Sequence, residues 1–103
     1  LDKPWKSYIL SSDEGNLIIS GGKSQNISEN SKFTVYKSGN KVKNPQTGMF
    51  ITLPGKPIGN IVVLTSMGDT PESEISIASI STGDFSQYIA SGDFSSLYIQ
   101  ESK

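Results

Sequence analysis

The sequence has no cysteine, no histidine and no arginine; all nine of its basic residues are lysines. Each absence closes a route. Without cysteine there is no disulfide framework, thiol nucleophile or thiolate metal site, and without histidine no imidazole base or haem ligand. Without arginine there is no planar fork for bidentate capture of a carboxylate, a phosphate or a guanine edge. Long apolar runs are missing too. The longest, Ile61-Val62-Val63-Leu64, is strand-sized, far below the roughly 18 residues of a membrane helix, so no membrane span is expected.

An excess of one charge sign is also lacking. Nine lysines face ten acids, for a formal net charge of -1 and a pI near 5.2. That balance gives no overall electrostatic reason to expect nucleic acid or an anionic membrane as a partner. The lack of cysteine is compatible with a reducing cytosol or with a bacterial periplasm. At 103 residues a single domain is expected, burying about two-thirds of its unfolded surface. The chain begins at Leu1 rather than Met, and the expectation is that residues 1–103 are the C-terminal part of a longer, exported protein.

What is present has the texture of an all-β chain. Short stretches of Ile, Val, Tyr and Phe are separated by Gly, Asn, Ser, Asp and Pro clusters about every 8–12 residues, and no window sustains a helical apolar stripe. The pattern predicts strands over Trp5–Leu10, Asn16–Ser20, Lys32–Lys37, Phe50–Leu53, Ile58–Ser66, Glu72–Ser81 and Ser96–Glu101. Ser11–Gly15, Lys37–Lys41 and Met67–Pro71 read as turns. A helical turn fits Asp84–Ile89, which puts Phe85, Tyr88 and Ile89 on one side. Several short strands at this pitch predict a small barrel or sandwich of about six or seven mainly antiparallel strands, because a flat sheet of this length leaves edges exposed.

The search for chemistry returns little. Gly83-Asp84-Phe85-Ser86 and Gly92-Asp93-Phe94-Ser95 repeat at a spacing of nine residues. Calcium-binding β-rolls use such a period, but they need three or more copies, so two Gly-Asp turns with a buried Phe after each are expected. Glu72 and Glu74 would share one face of a strand at about 6–7 Å, a spacing two catalytic carboxylates could use; surface charge beside a turn is the simpler reading. Serine is abundant, but without histidine only lysine could activate it, and neither S-x-x-K nor G-x-S-x-G occurs. Lys32, Lys37, Lys41, Lys43 and Lys56 fall close together with Phe33 and Tyr36 among them. A basic, aromatic strand surface suits single-stranded nucleic acid on a small barrel, whereas lysines on a sheet edge serve as well to block edge-to-edge pairing. Trp5, the only Trp, fits a plug at a barrel end better than a ligand platform.

The order of features is more informative than any one of them. A strand with glycines after it, Leu17-Ile18-Ile19-Ser20-Gly21-Gly22, leads to Phe33-Thr34-Val35-Tyr36 and then to Asn44-Pro45-Gln46-Thr47-Gly48. Ile58-Gly59-Asn60-Ile61-Val62-Val63 follows, then Glu72–Ala78, and Ile89-Ala90-Ser91-Gly92-Asp93-Phe94 closes the series. From Trp5 to Glu101 this resembles the C-terminal β-barrel domain of flagellar assembly protein T and related domains of bacterial envelope lipoproteins, including those grouped with the curli secretion channel. Those domains carry a Phe-x-Val-Tyr strand, an Asp/Asn-Pro-x-Thr-Gly turn and a late Gly-Asp before the last strand. Their early Gly-x-x-x-Gly-Asp step is replaced here by Gln25–Ser31, where Asn26 and Asn30 can mimic the turn.

The matched positions have structural uses. Asn44-Pro45 opens a turn that Thr47 can cap and that needs φ > 0 at Gly48; Gly59 allows a bend or bulge; Gly92-Asp93 turns into the last strand. None is a nucleophile, metal ligand or acid–base pair, so the resemblance implies no active site and no cofactor. It implies a non-catalytic protein–protein interaction or assembly module, periplasmic or associated with the outer membrane of a Gram-negative bacterium. Its partners would be other envelope proteins or further domains of the same chain. By residue type the candidate contacts are Trp5, Tyr8, Tyr36 and Tyr98. The alternative is a barrel that binds a small ligand or single-stranded nucleic acid on a Phe33/Tyr36/Lys37 face.

Overall fold

The computed structural model describes residues 6–102; Trp5 and its expected contact lie outside them. Among the described residues nine strands run in chain order: β1 (Lys6–Ser7), β2 (Ile9–Asp13), β3 (Asn16–Ser20), β4 (Lys32–Lys37), β5 (Lys41–Lys43), β6 (Phe50–Thr52), β7 (Lys56–Met67), β8 (Ile75–Thr82) and β9 (Leu97–Glu101). One short helix, α1, spans Ser86–Ser91, and 3-10 turns cover Lys23–Gln25 and Pro71–Ser73.

Seven strands form one antiparallel sheet in the order β1-β9-β4-β7-β8-β3-β2. Its two edge strands, β1 and β2, are separated in the chain only by Tyr8. One bent stretch therefore supplies both edges, and the sheet curls into a small, almost closed barrel. The bend is held where Ser20 N–H donates to the Tyr8 carbonyl at 3.0 Å and the Ser7 hydroxyl to the Ser20 carbonyl at 2.6 Å. The expected small all-β barrel is thus the fold of the chain.

Period-two alternation fills the interior. Leu17 and Ile19, Phe33 and Val35, Ile61 and Val63, Ala78, and Leu97 and Ile99 all point inward from successive strands and are buried. Each large one contributes about 1.5–3 kcal/mol of burial. Two crossovers close the ends. The link from β3 to β4 passes the ends of β8 and β7 and buries Ile27; the link from β8 to β9 passes β7 and β4 and buries Phe85 and Phe94. Tyr88 and Ile89 of α1 pack on this core, and α1 stops at Gly92, whose φ is +73°. Asn26 and Asn30 take φ of +63° and +71°, as their expected turn roles require.

Bulges supply the curvature a small barrel needs. One register shift opposes Val35 and Tyr36 of β4 to Gly59 and Pro57 of β7, leaving Ile58 as the extra residue. Gly59 sits where a Cβ would lie 2.5 Å from the Thr82 carbonyl oxygen and 2.7 Å from the Phe85 ring. This is the corner expected of that glycine.

Several expectations change. The expected Trp5–Leu10 strand is interrupted at Tyr8, and β2 runs on through Asp13, so the expected Ser11–Gly15 turn narrows to Glu14-Gly15. β8 begins at Ile75 rather than Glu72, because Thr70-Pro71-Glu72-Ser73 closes into a 3-10 turn with Ser73 N–H donating to the Thr70 carbonyl. Lys37–Lys41 is not a simple turn: β5 starts at Lys41, a strand with a single apolar residue and so no alternation to read. β5 and β6 pair with each other in a separate two-stranded sheet, making a hairpin that stands off the barrel. Its tip behaves as predicted, with Gln46 N–H bonded to Asn44 Oδ1, Met49 N–H to Thr47 Oγ1, and Gly48 at φ +74°.

Candidate interaction surfaces

The tyrosines expected to make contacts have different fates. Tyr36 and Tyr98 are register partners on β4 and β9 and stack with centroids 5.2 Å apart. Lys6 Nζ lies 4.3 Å above the Tyr98 ring, and Gly55 passes so close that a Cβ there would collide with the Tyr98 hydroxyl. The pair fastens the base of the hairpin to the barrel. Tyr8 faces out, 55% exposed. The Phe33/Tyr36/Lys37 face does not form as drawn: β4 alternates, so Phe33 is buried with Val35 while Tyr36 lies on the opposite side.

Glu72 and Glu74 do not share a strand face. Glu72 is exposed in its 3-10 turn, off any strand. Glu74 is half-buried and reaches across to the Lys23–Gln25 turn, where it accepts the Ser24 N–H at 3.3 Å and the Ser24 hydroxyl. Asp84 accepts from the Ser86 hydroxyl and N–H, and Asp93 likewise from Ser95. Those bonds, the hydroxyl's most of all, hold both carboxyls below the usual value of 3.8. Each Gly-Asp step is a turn followed by a buried Phe, as expected. A hollow of about 650 Å³ between β4, β9 and the β3–β4 link has Lys32 and Glu101 as the charged groups among its described lining residues, so no two carboxylates converge there.

Two further bulges build a surface that no alternation in the sequence discloses. Ile18 of β3 pairs with Ile77 of β8 on the outer wall. Opposite Ile18, β2 carries an extra residue, Leu10, between Ile9 and Ser11. Opposite Ile77, β7 carries an extra residue, Leu64, between Val63 and Thr65. Each bulge turns an additional apolar side chain outward, Leu10 at 53% and Leu64 at 46% exposure. The result is an apolar belt across four strands, Leu10–Ile18–Ile77–Leu64, with Tyr8 beyond Leu10.

A second exposed apolar surface is on the hairpin. The pairs Asn44/Met49, Val42/Ile51 and Asn40/Leu53 put Val42, Met49, Ile51 and Leu53 on one face. Lys41, Lys43, Phe50 and Thr52 occupy the other. All five apolar residues are exposed, Met49 at 68% and Phe50 at 66%. The sequence does carry one trace of this: no acid occurs between Glu29 and Asp69. No family model matches the chain, and no curated protein does.

Proposed function

We propose that this chain is a non-catalytic protein–protein interaction or assembly module of a bacterial cell-envelope protein. The observation that carries the reading is the Leu10–Ile18–Ile77–Leu64 belt, where two bulges place leucines in water on either side of a paired isoleucine row. Apolar side chains gathered on an outer wall mark a docking surface, and Tyr8 is of the residue type that anchors one. The belt would bury against an apolar patch on another envelope protein or on a further domain of the same chain. Periplasmic or outer-membrane placement in a Gram-negative bacterium rests on the resemblance to the flagellar assembly protein T domain and its lipoprotein relatives. The residues that carry that resemblance form a turn at Asn44–Gly48, a corner at Gly59 and a step at Gly92-Asp93. The test is recovery of partners from envelope extracts by the parent chain and by Leu64→Glu. The parent should retain a defined partner that the variant loses.

A further inference from the structure

The near-neutral total charge conceals a segregation. Residues 30–68 contain five lysines and no acid, and four of the five, Lys37, Lys41, Lys43 and Lys56, lie on the hairpin or at its base. We propose that the β5–β6 hairpin docks on an anionic lipid surface, with Val42, Met49, Ile51 and Leu53 at the headgroup–acyl boundary and the lysines among the headgroups. This goes beyond the protein-docking role of the barrel wall and uses a different part of the molecule.

Two features favour lipid over a protein partner, and a third sets the depth. The basic residues are all lysine, a type depleted in protein–protein interfaces where arginine is enriched; lysine's long stem instead lies along apolar surface while its ammonium reaches the headgroups. Clusters of four to eight basic residues on an amphipathic element are the usual footprint of anionic-lipid attraction. The hairpin's own geometry sets the depth. Among the described residues neither β5 nor β6 has a second strand neighbour, and the tip is the polar run Asn44-Pro45-Gln46-Thr47-Gly48. Open strand edges cannot enter hydrocarbon, so the hairpin stays in the interface, where water and headgroups satisfy the backbone.

The experiment is co-sedimentation of the full chain with vesicles of phosphatidylcholine alone and of phosphatidylcholine mixed with phosphatidylglycerol. Binding should require phosphatidylglycerol and disappear near 1 M salt, where the screening length falls to about 3 Å. Lys41→Gln with Lys43→Gln should lower partitioning about 25-fold, roughly fivefold per lysine. Val42→Ser with Ile51→Ser should weaken it at every salt concentration. These side chains lie outside the core, so unchanged thermal unfolding confirms that each variant is folded. Failure to bind phosphatidylglycerol vesicles, equal binding to both vesicles, or parental binding by the variants overturns the proposal. So does loss of a protein partner from the hairpin variants with vesicle binding intact. Leu64→Glu should partition like the parent, which keeps a failure here separate from a failure of the barrel-wall reading.

Discussion

Replacing Gly59 by alanine tests whether the barrel corner is as tight as its geometry indicates. The new Cβ would stand 2.5 Å from the Thr82 carbonyl oxygen and 2.7 Å from Phe85 Cζ. Relief requires a shift approaching 1 Å, since ordinary contacts begin at 3.4 Å. Neither neighbour can give that cheaply. Thr82 is laddered to Asn60 beside the glycine, and Phe85 is 2% exposed within the core. Overpacking of this kind costs about 1–3 kcal/mol, and with backbone on one side the upper half of that range is expected. For a domain of this size the melting temperature should fall by roughly 10–20 °C. Phe85→Leu alone is also destabilising, but it makes room for the methyl. The double variant should therefore be more stable than the sum of the two losses, by about 0.5–3 kcal/mol. Calorimetry or thermal circular dichroism reads both effects. A Gly59→Ala protein within about 0.5 kcal/mol of the parent, or strictly additive losses, would refute the argument.

Two further predictions follow from side-chain contacts. Tyr98→Leu removes the stack with Tyr36 and the Lys6 contact, together about 1–2.5 kcal/mol. The base of the hairpin should loosen, so limited proteolysis should cut within residues 40–53 faster while the barrel survives; an unchanged cleavage rate contradicts this. Asp84 and Asp93 are held below their ordinary 3.8 when folded, so the stability they contribute is present above that pH and lost as the pH falls through their folded values. Melting temperature should decline on acidification below about pH 4, and Asp84→Asn with Asp93→Asn should flatten that decline. An acid limb identical in parent and variant would show that other groups govern it.

Much of the barrel was legible because alternation and turn chemistry act locally. Ile75-Ser76-Ile77, the Asn44–Gly48 turn and the Gly-Asp-Phe steps each specify their own backbone, and the asparagines at 26 and 30 declare a left-handed conformation by type. What was not legible depends on partners distant in sequence. The bulges at Leu10 and Leu64 exist only as register shifts against Ile18 and Ile77, so the belt they make has no periodic signature. Tyr36 and Tyr98, expected as contacts from residue type, meet only because β4 pairs with β9 across more than half the chain. Glu72 and Glu74 failed as a pair for a local reason: Pro71 starts a 3-10 turn that removes Glu72 from the strand. The hairpin face was hidden by composition, since net charge averages a basic arm against acids elsewhere.

Docking of another protein on the outer wall of β2, β3, β8 and β7, as proposed, would depend on the exposed leucines of that wall. The direct measurement is quantitative comparison of partners recovered from envelope extracts by the parent, by Leu10→Glu, by Leu64→Glu and by the hairpin variant Lys41→Gln with Lys43→Gln. Both leucines are about half exposed, so their replacement should leave the fold intact. The parent and the hairpin variant should retain the same envelope protein, and both wall variants should lose it. Equal recovery by all four, or recovery of cytosolic proteins only, would contradict it.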